Sequence, residues 1–279
     1  AFPGGVQMLR KLIKHEFRAT SRIMWPVFLG MLALTALMRI SLPLLDGEGV
    51  THWFLQIISM LLAISFAVGF AALGLAPLVL SAVRFRNHIL RDEGYLTLTL
   101  PVSIHRLLLS KLIVSAVWYA AAFLVMALTM LVASTTWSDL RTFPSLFGDL
   151  LSAFSQLEDS LRSGAMLLIL QIFLACVLGV IVSTLIVYAA YAVGYSFNKH
   201  KGAITAVLLL VFYQLVQLAG LRLTFGMADS ERFSQAWSAH TAMSFVHSFF
   251  TMALVGELVS CAIFYLITWY FTTRKLNLE

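Results

Sequence analysis

The sequence predicts an all-α, polytopic membrane protein with six transmembrane helices, and three observations carry that expectation. Of 279 residues, 60% are hydrophobic and only 11% charged, far below the roughly 25% charged residues of soluble domains. Six stretches are apolar enough to cross a hydrocarbon core, which takes roughly 20 residues. The basic residues then fall very unevenly on the two sides those crossings define. The whole chain, 1–279, reads as a single transmembrane domain.

The first element is an amphipathic helix over residues 8–22. Leu9, Leu12, Ile13 and Phe17 recur at helical spacing, while Arg10, Lys11, Lys14 and Arg18 take the other positions. Such a segment is too polar to span and suits a helix lying in the membrane interface, its cations near anionic head groups. Leu12 and Phe17 are its apolar contacts and Lys14 and Arg18 its polar ones. Ala1 to Gln7 reads as neither a signal peptide nor a span.

The spans follow as Ile23 to Leu42, Trp53 to Val83, Leu107 to Val132, Ala165 to Ala192, Ala203 to Leu221 and Phe249 to Phe271. The second and fourth exceed one crossing yet fall short of two, so tilt or extension beyond the bilayer is expected. Gly69, Gly74 and Pro77 are placed to bend the second span, where neighbouring helices must satisfy any freed backbone group. Arg39 is close enough to the end of its span to snorkel.

Between the second and third spans lies a polar, basic island, RFRNHILRDEGYLTLTLPVSIHRLLLSK. It carries the acids Asp92 and Glu93, a Gly94-Tyr95 turn, Pro101, and Ser103 at a helix-capping position. The outer segment from 134 to 163 predicts an amphipathic helix with Phe147, Leu150, Leu151, Phe154 and Leu161 on one face. The stretch from Asp229 to Ser248 reads as brief and polar.

Orientation follows from charge. One side collects Arg10, Lys11, Lys14, Arg18, Arg22, Arg84, Arg86, Arg91, Arg106, Lys111, Lys199, Lys201, Arg274 and Lys275. The other holds Arg39, Arg141, Arg162, Arg222 and Arg232, a split of fourteen against five that accounts for all 19 Lys and Arg. The basic side, with both termini, is expected to be cytoplasmic. The net charge of +6 therefore describes topology, and no basic domain for nucleic acid is present.

Catalytic signatures are missing from the sequence. There is no G-x-x-x-x-G-K-[ST] phosphate loop, no H-E-x-x-H spacing among the seven histidines and no nucleophile elbow. Cys176 and Cys261 both lie in predicted spans and read as small packing residues, not as a disulfide. No cofactor or metal is expected on this chain.

The layout of a basic elbow helix, six spans and a cytoplasmic segment between the second and third resembles the type-2 permease subunits of bacterial ATP-binding-cassette (ABC) exporters, the type V exporter-like fold. Glu93-Gly94-Tyr95-Leu96, then Leu100-Pro101-Val102-Ser103 and Lys111, resemble the segment by which such permeases enter their third span. The ending Arg274-Lys275-Leu276-Asn277-Leu278-Glu279 resembles their tail.

The resemblance implies a permease subunit of the bacterial cell membrane that dimerises with an identical or related permease. It is driven by separate nucleotide-binding subunits, which hold the ATP and Mg. It makes residues 84–106 the coupling segment, with Arg91, Asp92, Glu93, Gly94, Tyr95, Leu96 and Pro101 engaging the ATPase. The expected cargo is amphipathic or hydrophobic: an antimicrobial peptide, a lipid-like molecule or a drug. Two other functions fit the same layout: an ATPase-coupled signalling or mechanical subunit that does not transport, and an ATP-independent channel.

Three residues within spans are candidates for a cavity or for helix packing. Glu257 is the one acid deep in a span, where an ionisable group is costly enough to suggest function. It reads either as a ligand for a cationic substrate or proton-sensitive gate, or as a packing residue near Ser260 and Cys261. Gln214 and Gln217, three apart, share a helix face and either line a cavity or pin two helices together.

Overall fold

The computed structural model describes residues 5–41, 50–90, 103–134, 145, 148–149, 151–197, 199–228 and 239–274. Six long helices dominate them: α1 (Gly5–Ser41), α2 (Val50–Phe85), α3 (Ile104–Ser134), α4 (Asp159–Gly194), α5 (Lys201–Ala228) and α6 (Ala239–Arg274). Each contains a stretch long and apolar enough to cross a membrane. A π-helical turn, Arg86–Leu90, continues α2 and buries Ile89 and Leu90. Half of the polar island expected between the second and third spans is therefore helical, leaving residues 91–102 between α2 and α3.

The surface agrees with a lipid environment. Trp53, Phe54 and Met60 of α2, Phe123 and Leu124 of α3, and Ile169 and Phe173 of α4 are each more than half exposed. Contiguous apolar surface on this scale is a liability in water and ordinary against lipid. The chain is a multi-pass membrane protein by these criteria.

Several boundaries differ from the sequence reading: α4 starts at Asp159, before the expected Ala165, α5 ends at Ala228, past the expected Leu221, and two further differences are larger. Residues 8–22 and the first span are one continuous helix, α1, which runs through Pro26. Pro26 lacks the N–H that would bond the Arg22 carbonyl, so the weak point of the helix coincides with the expected polar-to-apolar boundary. The last helix begins at Ala239, ten residues before the expected Phe249. Met243 and His247 hold that extension against α4, closing on Gly164, where a Cβ would stand 3.1 Å from Met243 Cγ. In the outer segment residues 151–155 are helical, with Leu151 exposed; Phe147 and Leu150 lie outside the described residues.

The chain divides into two compact units, Ala1–Ser81 with Arg106–Pro144, and Ala82–His105 with Ser145–Glu279. In the first, Met24, Phe28 and Met31 of α1, Leu73 and Leu80 of α2, and Val114, Trp118 and Ala122 of α3 form one buried cluster. Their spacing of three, four or seven residues is that of a helix-packing seam. Gly69 allows close approach here, since a Cβ on it would stand 3.2 Å from Met31 Sδ and 3.3 Å from Leu34 Cδ2.

A buried polar seam runs beside this cluster. Lys111 Nζ lies 3.0 Å from Glu16 Oε1, and Trp118 Nε1 donates to Thr20 Oγ1 at 2.7 Å. The Thr20 hydroxyl in turn donates to the Glu16 carbonyl at 2.9 Å. Phe17 stacks on the Trp118 indole at 4.8 Å.

In the second unit α4 is the central helix, packed chiefly on α6 and also on α5. Residues 184–190 of α4 are all buried, as expected for a helix apolar on every face. Tyr188 is 1% exposed and stacks on Phe85 at 4.2 Å. Of the two cysteines, Cys176 is exposed and Cys261 half-buried, and neither is in a disulfide.

Candidate functional site

The second unit has an open-sided cavity of about 300 Å³ between α4, α5 and α6. Val182 and Ile186 of α4, Val216 and Leu223 of α5 and Ala253 of α6 give it apolar walls. Polar groups enter from all three helices: Ser183 from α4, Tyr213 and Gln217 from α5, Glu257 and Ser260 from α6. Gly179, Gly220 and Gly256 line it as well, one from each helix.

Glu257 dominates the cavity electrostatically. Its Oε2 is buried and has no hydrogen-bond partner among the described residues. The other oxygen faces Gly179, where a Cβ would stand 3.4 Å from Glu257 Oε1. The Ser260 hydroxyl, one turn on, donates to the Gly256 carbonyl at 2.8 Å. Burying a carboxylate without compensation is costly, and this one sits beside open volume.

The sequence candidates separate here. Gln217 and Glu257 come together in the cavity lining, whereas Gln214 does not line it. Leu12 of the N-terminal group is half-buried, Lys14 and Arg18 are exposed, and Phe17 covers Trp118. Arg91, Asp92, Glu93, Gly94, Tyr95, Leu96 and Pro101 lie outside the described residues. Among the described residues no three His, Cys, Asp or Glu side chains converge as a metal site would require.

Besides the Lys111–Glu16 seam, two further polar clusters escaped the sequence reading. Gln171 Oε1 lies 2.7 Å from His247 Nδ1, and the Gln171 amide nitrogen donates to Thr251 Oγ1 at 3.0 Å. That pair ties α4 to the N-terminal part of α6. His105, in the first turn of α3, shares a 2.5 Å hydrogen bond with Tyr265 Oη and stacks on both Tyr265 and Trp269. Partners 76 and 160 residues apart leave no periodic signal, so only the fold reveals them.

Compared with known proteins, the chain matches no family model, no curated protein and no solved structure.

Proposed function

We propose that this chain is the membrane-spanning permease subunit of an ATP-driven ABC exporter, moving an amphipathic or hydrophobic cargo by alternating access. The observation that carries the reading is the segment over residues 91–102. It joins two long apolar helices and bears Glu93-Gly94-Tyr95-Leu96 and Pro101, the pattern that resembles a permease coupling segment. Asp92 and Glu93 supply charge for pairing with a basic cleft of the motor, Tyr95 supplies an apolar anchor, and Pro101 stiffens the lever.

The sequence contains no phosphate loop, so hydrolysis belongs to partner subunits that carry ATP and Mg. Six spans are half of the set such a transporter uses, so a second permease, identical or related, completes it. ATP binding closes the two motors, each pulls one coupling segment, and the paired permeases turn their cavity outward. The charge asymmetry supports placing residues 91–102 and both termini in the cytoplasm of a bacterial cell.

The cavity between α4, α5 and α6 supports an amphipathic cargo, because apolar walls and a few placed polar groups suit such a ligand. The test is purification of the tagged chain from its native membrane in mild detergent, followed by mass spectrometry of what accompanies it. A stoichiometric protein with a phosphate-loop motif is expected. An oligomer of this chain alone would remove the permease reading and favour a channel.

A further inference from the structure

We propose that the cavity between α4, α5 and α6 binds the ammonium head of a singly charged cationic amphiphile, with Glu257 as its counter-ion. The inference rests on the transport reading above, in that the cavity is taken as a cargo site. Its test uses binding by the isolated chain, so it fails or stands separately from any ATPase.

Position comes first. Glu257 is the nineteenth of the 36 residues of α6, and at 1.5 Å per residue it lies about 26 Å from either helix end. A carboxylate at that depth is retained where it faces a cation or a polar cavity. Its Oε2 is buried and has no hydrogen-bond partner among the described residues, so that oxygen is not committed to helix packing.

The walls then select the ligand. Among the described residues no Lys, Arg or His side chain lines the cavity, so the carboxylate is the one charged group of that lining and matches a single positive charge. Ser183, Gln217 and Ser260 are neutral and Val182, Ile186 and Leu223 apolar, so the lining supplies no second carboxylate for the second ammonium of a polyamine. Tyr213, 48% exposed, adds an aromatic ring to the same wall. Aromatic faces beside a carboxylate favour ammonium and quaternary ammonium heads. About 300 Å³ is at the small end of ligand cavities, enough for the head and the first carbons of a chain.

Glycines keep the space clear. A Cβ at Gly179 would touch the carboxylate at 3.4 Å, so any larger side chain there would cover it. Gly220 is a lining residue and a Cβ on it meets nothing within 4 Å, so a larger side chain is accommodated beside the cavity without displacing a wall. Gly220→Leu is therefore the variant chosen to narrow the site while leaving Glu257 in place.

The experiment measures saturable binding of radiolabelled dodecyltrimethylammonium to the full chain in phosphatidylglycerol nanodiscs. Empty nanodiscs give the partitioning background, and dodecyl sulfate and dodecyl maltoside serve as anionic and neutral competitors. Wild type is expected to bind one probe per chain, displaced by neither competitor. Glu257→Gln is expected to weaken binding roughly thirtyfold or more, as when one partner of a buried charge pair is removed. Gly220→Leu is expected to abolish it while raising or preserving thermal stability.

Equal binding by wild type and Glu257→Gln overturns the proposal. If Glu257→Gln does not fold, Gly220→Leu decides alone, and its binding the probe like wild type overturns the site. Nanodiscs containing phosphatidylethanolamine test the charge selection. Competition by that zwitterionic lipid overturns the assignment to a singly charged cation, and unchanged probe binding upholds it.

Discussion

Lys111 Nζ stands 3.0 Å from Glu16 Oε1, and only 3% and 14% of the two side chains remain exposed. The pair joins the polar half of α1 to α3 across 95 residues of sequence. Removing one member leaves the other charge buried, which costs far more than the intact pair is worth. Lys111→Met is expected to destabilise the protein by about 3 kcal/mol. The double variant Lys111→Met with Glu16→Gln is expected to recover most of that loss. Thermal unfolding in detergent measures both, and a double variant no better than the single one would deny the coupling.

Trp118 makes a second prediction in the same seam. Thr20→Val keeps the volume but leaves the indole N–H, now bonded at 2.7 Å, without its acceptor. A loss of about 1–3 kcal/mol is expected, the cost of a buried donor left unsatisfied. Trp118→Phe removes the donor itself and leaves Thr20 its bonds to the Glu16 and Phe17 carbonyls; its loss is expected to come from packing.

Gly194 marks a close approach of α4 to α5. A Cβ there would collide with Thr205, reaching 2.9 Å from its Cα. Gly194→Ala is expected to cost about 1–3 kcal/mol, as overpacking does. Because the obstacle includes backbone, adding Thr205→Ala is expected not to rescue it. Gly202→Ala, where a Cβ meets nothing within 4 Å, is the control and should leave the melting temperature unchanged. Full rescue by Thr205→Ala would mean that the backbones have slack.

The Gln171 cluster makes the fourth prediction. Gln171→Leu removes the bonds to His247 and Thr251. The N-terminal part of α6 is then expected to exchange amide hydrogens faster, while residues near Phe264 keep their protection. A uniform change along α6 would contradict a local role for this contact.

The six crossings were legible because a run of about twenty apolar residues has few other uses. Their ends were not. Ala239–Ser248 looked polar, yet Met243 and His247 seat it against α4 at Gly164, a contact that sequence periodicity cannot express. The split between Met8–Arg22 and the first span was legible in polarity, while the backbone runs straight through Pro26. Glu257 was legible as an acid at depth and Gln217 as a polar neighbour. Their meeting with Gly179 and Gly220 around one cavity depends on the packing of three helices. The Lys111–Glu16 pair was invisible because both residues looked like ordinary members of basic, solvated segments.

The most direct measurement of the central claim is vanadate-sensitive ATP hydrolysis by the complex purified on the tagged chain, for wild type and for Glu93→Ala with Tyr95→Ala. Both chains are expected to insert and to melt at the same temperature, since the substitutions lie between α2 and α3. Wild type should bring down an ATPase with vanadate-sensitive activity, and the double variant should lose most of that subunit or its activity. Equal recovery and equal hydrolysis by the two would contradict the coupling role of residues 91–96. Absence of any ATPase with wild type would contradict the permease assignment itself.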